Sequence, residues 1–97
     1  MNYYALTYKT ADNYLAEREK YRTAHLQLAT EYVLKGLLVL GGVMENPADE
    51  ALLIFKAETD EVAISFAEND PYVQHKLVVS WSVRKWNVVV NGFERNV

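Results

Sequence analysis

The sequence predicts an α+β fold built on one antiparallel sheet, and three observations carry that expectation. Segments rich in Tyr, Val, Leu and Trp are interrupted by two stretches of helical period. Each helical stretch opens at residues of cap type and stops at a residue that breaks helices. The segments follow one another as strand, helix, strand, strand, helix, strand.

Each element has a local reason. Tyr3 to Lys9 is rich in Tyr and Thr and reads as the opening strand. Thr10 to Asn13 supplies cap-type residues, and the pattern from Asn13 to Lys35 is helical, closed by Gly36 where a helix C-terminal glycine belongs. Leu37 to Val43 is a second strand, bent or weakened at Gly41-Gly42. Glu45 to Asp49 is a loop by its Asn, Pro and Asp content, and Ala51 to Ala57 is a third strand. Thr59 is placed to cap a second helix, with Asp60 and Glu61 in its first turn. That helix runs to about Glu68 and ends at Asn69-Asp70-Pro71, because a residue before proline is pushed out of the α region. Pro71 can start another short turn, and Leu77 to Val90 reads as a long fourth strand. The β-α-β-β-α-β order is the split βαβ arrangement of the ferredoxin-like fold. It predicts a four-stranded antiparallel sheet with two helices on one face, a single domain over residues 1–97.

Composition narrows the function. The hydrophobic fraction of 51% is high for 97 residues, and strands two and three are nearly continuous in apolar residues, which asks for cover on both sheet faces. A second subunit packed sheet to sheet is the simplest cover, so a homodimer is expected. A net charge of −3, from 10 basic and 13 acidic residues, shows no basic stripe for nucleic acid. Without cysteine there is neither a disulfide frame nor a thiolate metal site, and two histidines argue against structural zinc. No metal and no cofactor is expected. Met1-Asn2-Tyr3-Tyr4 lacks the flank and apolar run of a signal peptide. The longest apolar run, Leu37 to Met44, is too short for a bilayer. A cytoplasmic protein with no membrane partner is the expectation.

The first helix carries the sharpest signal. On a wheel, Leu15, Leu26, Ala29 and Val33 cluster on one side, and Tyr14, Tyr21, Leu28 and Tyr32 extend that arc. Arg18, Arg22 and His25 fall inside the arc, where an unpartnered charge is costly. In the plainer reading, the arginines snorkel from a half-buried helix and His25 is a hydrogen-bonded core residue. Spacings of four and three put all three on one face, and a cavity edge would explain them together.

Arg22-Thr23-Ala24-His25-Leu26, followed by Gly36-Leu37-Leu38 and Gly41-Gly42, resembles the first half of YciI-like (YCII-related) proteins. Ala67-Glu68-Asn69-Asp70-Pro71-Tyr72 is similar to the family's Asp-Pro-Tyr signature, and Ser82 to Trp86 resembles its basic and aromatic last strand. The resemblance implies a homodimer of the dimeric α/β-barrel type with a His–Asp centre, carried over by motif to His25 and Asp70. Gly42-Val43 and Lys85 stand where many relatives have Gly-Pro and a proline, changes that bear on substrate choice.

His25 is then expected to act as general acid or base with Asp70 as its orienting partner. Arg22, one turn earlier, suits a substrate carboxylate, and Tyr72 and Trp81 are expected as pocket walls or donors. Asp before Pro also serves as a plain turn residue, and His75 reads as a surface residue. Ser65, Ser80 and Ser82 sit in no nucleophile elbow. The expected function is a metal-independent small-molecule enzyme with proton-transfer chemistry, an isomerase or a lyase of dehydrochlorinase type. The alternative is a non-catalytic homodimer that binds or senses a small anion. Whether dimers build into higher oligomers is left open.

Overall fold

Alternation along the first strand decides which side of the sheet becomes the interior. In β1 (Asn2–Thr10), Tyr4, Leu6, Tyr8 and Thr10 are buried while Tyr3, Ala5 and Thr7 are only half-buried, the period of two that a pleated strand imposes. The structure, a computed structural model, describes residues 1–94, so the last three residues of the span expected as one domain lie outside it. β2 (Leu38–Val43), β3 (Glu50–Ala57) and β4 (Val78–Trp86) complete a fully antiparallel sheet in the order β2-β3-β1-β4. Tyr4, Leu6 and Tyr8 stand opposite Phe55, Leu53 and Ala51 of β3 and opposite Lys85, Val83 and Trp81 of β4. The helices cover that face. α3 (Glu61–Asn69) buries Ala63, Phe66 and Ala67 against it, and Phe66 meets Phe55 and Tyr32 at ring centroids 5.3 and 5.1 Å apart. The architecture is the α+β, ferredoxin-like arrangement that the element order predicts.

The expected single helix from Asn13 to Lys35 is broken. α1 (Tyr14–Glu17) runs into a 3₁₀ turn at Arg18–Lys20, and α2 (Arg22–Leu34) starts afresh. Nothing local signals the break, since Glu, Arg and Lys are good helix formers. Its ends are tied elsewhere: Tyr14 meets Tyr72 edge-on at 5.8 Å, and Tyr21 stacks on His75 at 4.1 Å. Nor does the apolar arc enter the core. No α2 residue is fully buried, and Leu26 and Val33 are 46% and 53% exposed. The helix packs through Tyr21, Leu28, Ala29 and Tyr32, while Leu26 and Val33 overhang a hollow above β2 and β3.

α2 ends as a glycine-stopped helix should. Gly36 takes φ +74°, its N–H bonds to the Val33 carbonyl and that of Leu37 to the Tyr32 carbonyl, both at 2.9 Å, the paired bonds of a Schellman stop. α4 (Pro71–Gln74) closes with the same pair of bonds, from Lys76 to Val73 and from Leu77 to Tyr72. There the left-handed residue is Lys76, φ +64°. β4 stops at Trp86 rather than Val90, because Trp86 already faces Tyr3 near the start of β1. The sheet's other face carries Ala5, Thr7, Leu52, Ile54 and Trp86 with no helix over it. Beyond the strand, the chain returns to the Tyr3 end of the sheet, where Glu94 meets Lys56 at 2.8 Å and accepts from the Tyr3 hydroxyl at 3.0 Å.

The two left-handed positions set opposite expectations. Gly36→Ala adds a Cβ in open space and should cost about 1 kcal/mol through backbone strain alone. Lys76→Gly should gain about 0.5–1 kcal/mol by relieving it. Urea midpoints read both, and a shift of the same sign in the two variants would contradict this account.

Candidate active site

The site begins with a broken helix. Pro71 holds Asp70 in extended backbone, φ −72° and ψ 122°, so the chain turns inward between α3 and α4 and takes the Asp70 side chain out of solvent completely. Pro71 occupies the first position of α4, where its missing N–H costs nothing. Asp70 caps that turn: its Oδ1 accepts the Tyr72 N–H at 3.0 Å. Two further donors converge on the same carboxylate. The Tyr8 hydroxyl, from the covered face of β1, donates to Oδ2 at 2.7 Å, and Nδ1 of His25, in the first turn of α2, lies 2.8 Å from Oδ1. A buried carboxylate is tolerable only when its lone pairs are met, and here three elements meet them.

That network assigns the imidazole tautomer. A carboxylate can only accept, so Nδ1 carries a hydrogen and, in the neutral ring, Nε2 holds the lone pair. Nε2 makes no hydrogen bond among the described residues, and every buried polar side-chain atom has a partner. It therefore opens onto the hollow that His25 lines. The ring cannot easily turn away, since it lies parallel to Tyr72 at 4.0 Å and edge-on to Phe66 at 6.3 Å. Burial, and after it the Asp70 charge, hold the Tyr8 phenol well above the usual tyrosine range, so Tyr8 stays a neutral donor. Burial also raises the Tyr72 phenol, with Arg22 and Arg18 close enough to pull the other way.

The hollow has a volume of about 480 Å³, between α2 and the β2–β3 side of the sheet, a usual size for a small-molecule site. His25, Arg22 and Tyr72, singled out in the sequence, all line it, with Asp70 directly behind His25. Trp81 does not. It stands on β4 beside Tyr8, across β1 from the strands that floor the hollow, and packs on the edge of the core. A helix wheel says nothing of which sheet edge lies beneath, so the aromatic on the far edge was indistinguishable from a pocket wall. Sequence reasoning missed Tyr8 and left Arg18 without a role, although both line the hollow. Strand alternation could mark Tyr8 as core, but not its hydroxyl as the partner of a residue 62 positions away. Among the described residues no three His, Cys, Asp or Glu side chains gather as metal ligands would, and no helix is long and apolar enough to cross a membrane.

The family model of the YCII-related domain matches residues 1–87. The chain belongs to this family. Among solved structures, a YCII-like fold recurs in 5-chloro-2-hydroxyhydroquinone dehydrochlorinase (TftG) from Burkholderia phenoliruptrix AC1100, in complex with 2,5-dihydroxybenzoquinone. That protein is 25% identical, with TM-score 0.72 over 88% of this chain and 93% of its own. Protein Atu4242 from Agrobacterium tumefaciens is similar at TM-score 0.59 and 15% identity, covering 90% and 92% of the two chains. An uncharacterized NIPSNAP domain protein from Burkholderia xenovorans follows at TM-score 0.54 and 14% identity, covering 99% and 100%. The last two likenesses speak for the fold alone. No curated protein sequence gives a significant match. The YCII-related match ends one residue after β4, so the segment that returns to Tyr3 lies beyond it.

Tyr8→Phe should cost about 1.5–3 kcal/mol at neutral pH, the worth of a hydrogen bond to a charged group. A second signature is a pH slope. Because the folded phenol titrates above its ordinary value of 10.0, its contribution is complete below that pH. It is lost above it, as the unfolded chain gives up the proton that the folded chain keeps. From about pH 10 upward, wild-type stability should fall more steeply than that of Tyr8→Phe, by about 1.4 kcal/mol per pH unit. Parallel alkaline denaturation curves would contradict the buried bond.

Proposed function

We propose that this YCII-related protein is a small-molecule enzyme that moves a proton through His25, in lyase or isomerase chemistry of the dehydrochlorinase kind. The observation that carries the reading is the Nδ1–Asp70 hydrogen bond, which turns a lone pair on Nε2 toward a hollow large enough for a substrate. Asp70 fixes the tautomer and offsets the positive charge that the ring acquires when it accepts a proton. In an elimination, Nε2 takes a proton from the substrate. The electron pair left behind forms a new double bond, and the leaving group departs with the pair of its own bond. In an isomerisation, the imidazolium returns the proton to another atom. The likeness to the dehydrochlorinase, a protein seen in complex with a dihydroxybenzoquinone, supports the elimination branch.

The test is chloride release from 5-chloro-2-hydroxyhydroquinone, which loses HCl to leave a hydroxybenzoquinone. Wild type should release chloride. His25→Ala should lose about 10²–10⁴-fold while its circular dichroism stays native. A full rate in His25→Ala would remove the acid–base role. Binding without chloride release would favour the alternative, a homodimer that only binds or senses an anion.

The assembly proposed is a homodimer packed sheet to sheet, of dimeric α/β-barrel type. The sheet face on which Leu52 is half-buried and Trp86 is 49% exposed supports it, because so small a domain rarely leaves such a patch in water. Sedimentation should give twice the 11.1 kDa chain mass. Leu52→Lys, in the middle of that face, should shift the mass to one chain; a wild type monomeric at all concentrations would refute the dimer.

A further inference from the structure

Seventeen residues line the hollow, and none of them is acidic. The charged ones are Arg18 and Arg22, so the field inside favours an anion. Neither guanidinium is spent on a carboxylate: among the described residues the carboxylates that meet a basic side chain are Glu17 with Lys20, Asp70 with His25 and Glu94 with Lys56. Glu17, the acid next to Arg18 in the chain, is held by Lys20 at 2.6 Å. Arg18 rests instead over the Tyr14 ring, 5.7 Å from its centroid. Stacking of this kind poses a guanidinium without using its donors.

Away from the arginines, His25 and the three tyrosines the walls are aliphatic, and on β2 the wall lacks a side chain at Gly41. Gly41 stands opposite Leu53, whose side chain is in the covered core. A Cβ there would meet Leu53 Cγ at 3.4 Å, an ordinary contact, while Gly42 has nothing within 4 Å. Neither glycine takes a left-handed φ, so backbone conformation does not demand them. Gly41, on the covered face, leaves that stretch of the wall flat, whereas Gly42 stands opposite Leu52 on the other side of the pleat.

We infer that the hollow takes a small planar ring bearing oxyanions along one edge, with Arg18 and Arg22 holding the oxygens and the ring lying against the bare wall at Gly41. An ionised hydroxyquinone and a ring carboxylate share this chemistry. The inference rests on the reading of the hollow as the substrate site and makes Arg18 a binding residue beside Arg22. It also gives the arginines a part in the chemistry: when Nε2 removes a proton, the charge delocalised onto the ring grows on the oxygens that the guanidinium groups hold.

Calorimetric titration of the full chain with 2,5-dihydroxybenzoquinone, which is ionised at neutral pH, and with hydroquinone, a neutral ring of the same size, tests this. The ionised ring should bind at least about tenfold more tightly, and Arg18→Gln and Arg22→Gln should each lose about tenfold. Gly41→Val should lose a comparable factor with both arginines in place, whereas His25→Ala should still bind. Equal affinity for the two rings, or arginine variants that bind like wild type, would overturn the inference. The two readings fail separately. Arginine-dependent binding without chloride release would leave this inference standing and remove the acid–base proposal. Undiminished chloride release in the Arg18→Gln/Arg22→Gln double variant would do the reverse.

Discussion

A carboxylate taken wholly out of water sets the terms for everything around it. Asp70 has no solvent contact, and an ion in that position is tolerable only if protein donors replace its hydration. The donors come from three separate elements: a hydroxyl from β1, a backbone N–H from α4 and an imidazole from α2. Satisfying this one group therefore positions the loop after α3, fixes the start of α4 and orients His25 relative to the sheet. The stacked Tyr72 and the edge of Phe66 then confine the ring. The requirement that stabilises the fold at this point is the same one that leaves a basic nitrogen facing a hollow.

The hollow exists because the helical layer does not cover the sheet to its edge. α3 packs over the centre, where Leu6, Phe55 and Phe66 are sealed. α2 lies toward β2, which is an edge strand with a register shift after Leu38 and two glycines. Leaving Leu26 and Val33 half in water is costly for a chain of this size. The arrangement makes sense if the space between α2 and β2 is used. The opposite sheet face shows the same economy: among the described residues no helix lies over it, and the segment after β4 reaches only its Tyr3 end.

Much of this architecture was legible in the residues because it follows from local chemistry. Gly36 marks the end of α2, Asn69-Asp70-Pro71 the end of α3, and the alternation in β1 its buried side, all by rules that act within a few positions. The order of elements then leaves few topologies. His25, Arg22, Asp70 and Tyr72 were visible as oddities: charges within an apolar arc and a signature after a helix. What stayed hidden depends on long-range contact. The 3₁₀ turn at Arg18–Lys20 accompanies ties from Tyr14 and Tyr21 to residues more than 50 positions away, which propensity cannot see. β4 was read four residues too long because its own sequence continues in strand-type residues, while the strand it pairs with does not. Trp81 was misplaced because the sequence does not tell which edge of the sheet α2 lies over, and α2 lies over β2 and β3 rather than β4.

The most direct test of the central claim is the imidazole tautomer of His25, read by long-range ¹⁵N–¹H correlation at about pH 8.5, above the ordinary imidazole range. The account requires the hydrogen on Nδ1, donated to the Asp70 carboxylate, with Nε2 unprotonated. An Nε2–H ring, or fast exchange between the two forms like that of a free side chain, would mean that Asp70 does not orient the histidine.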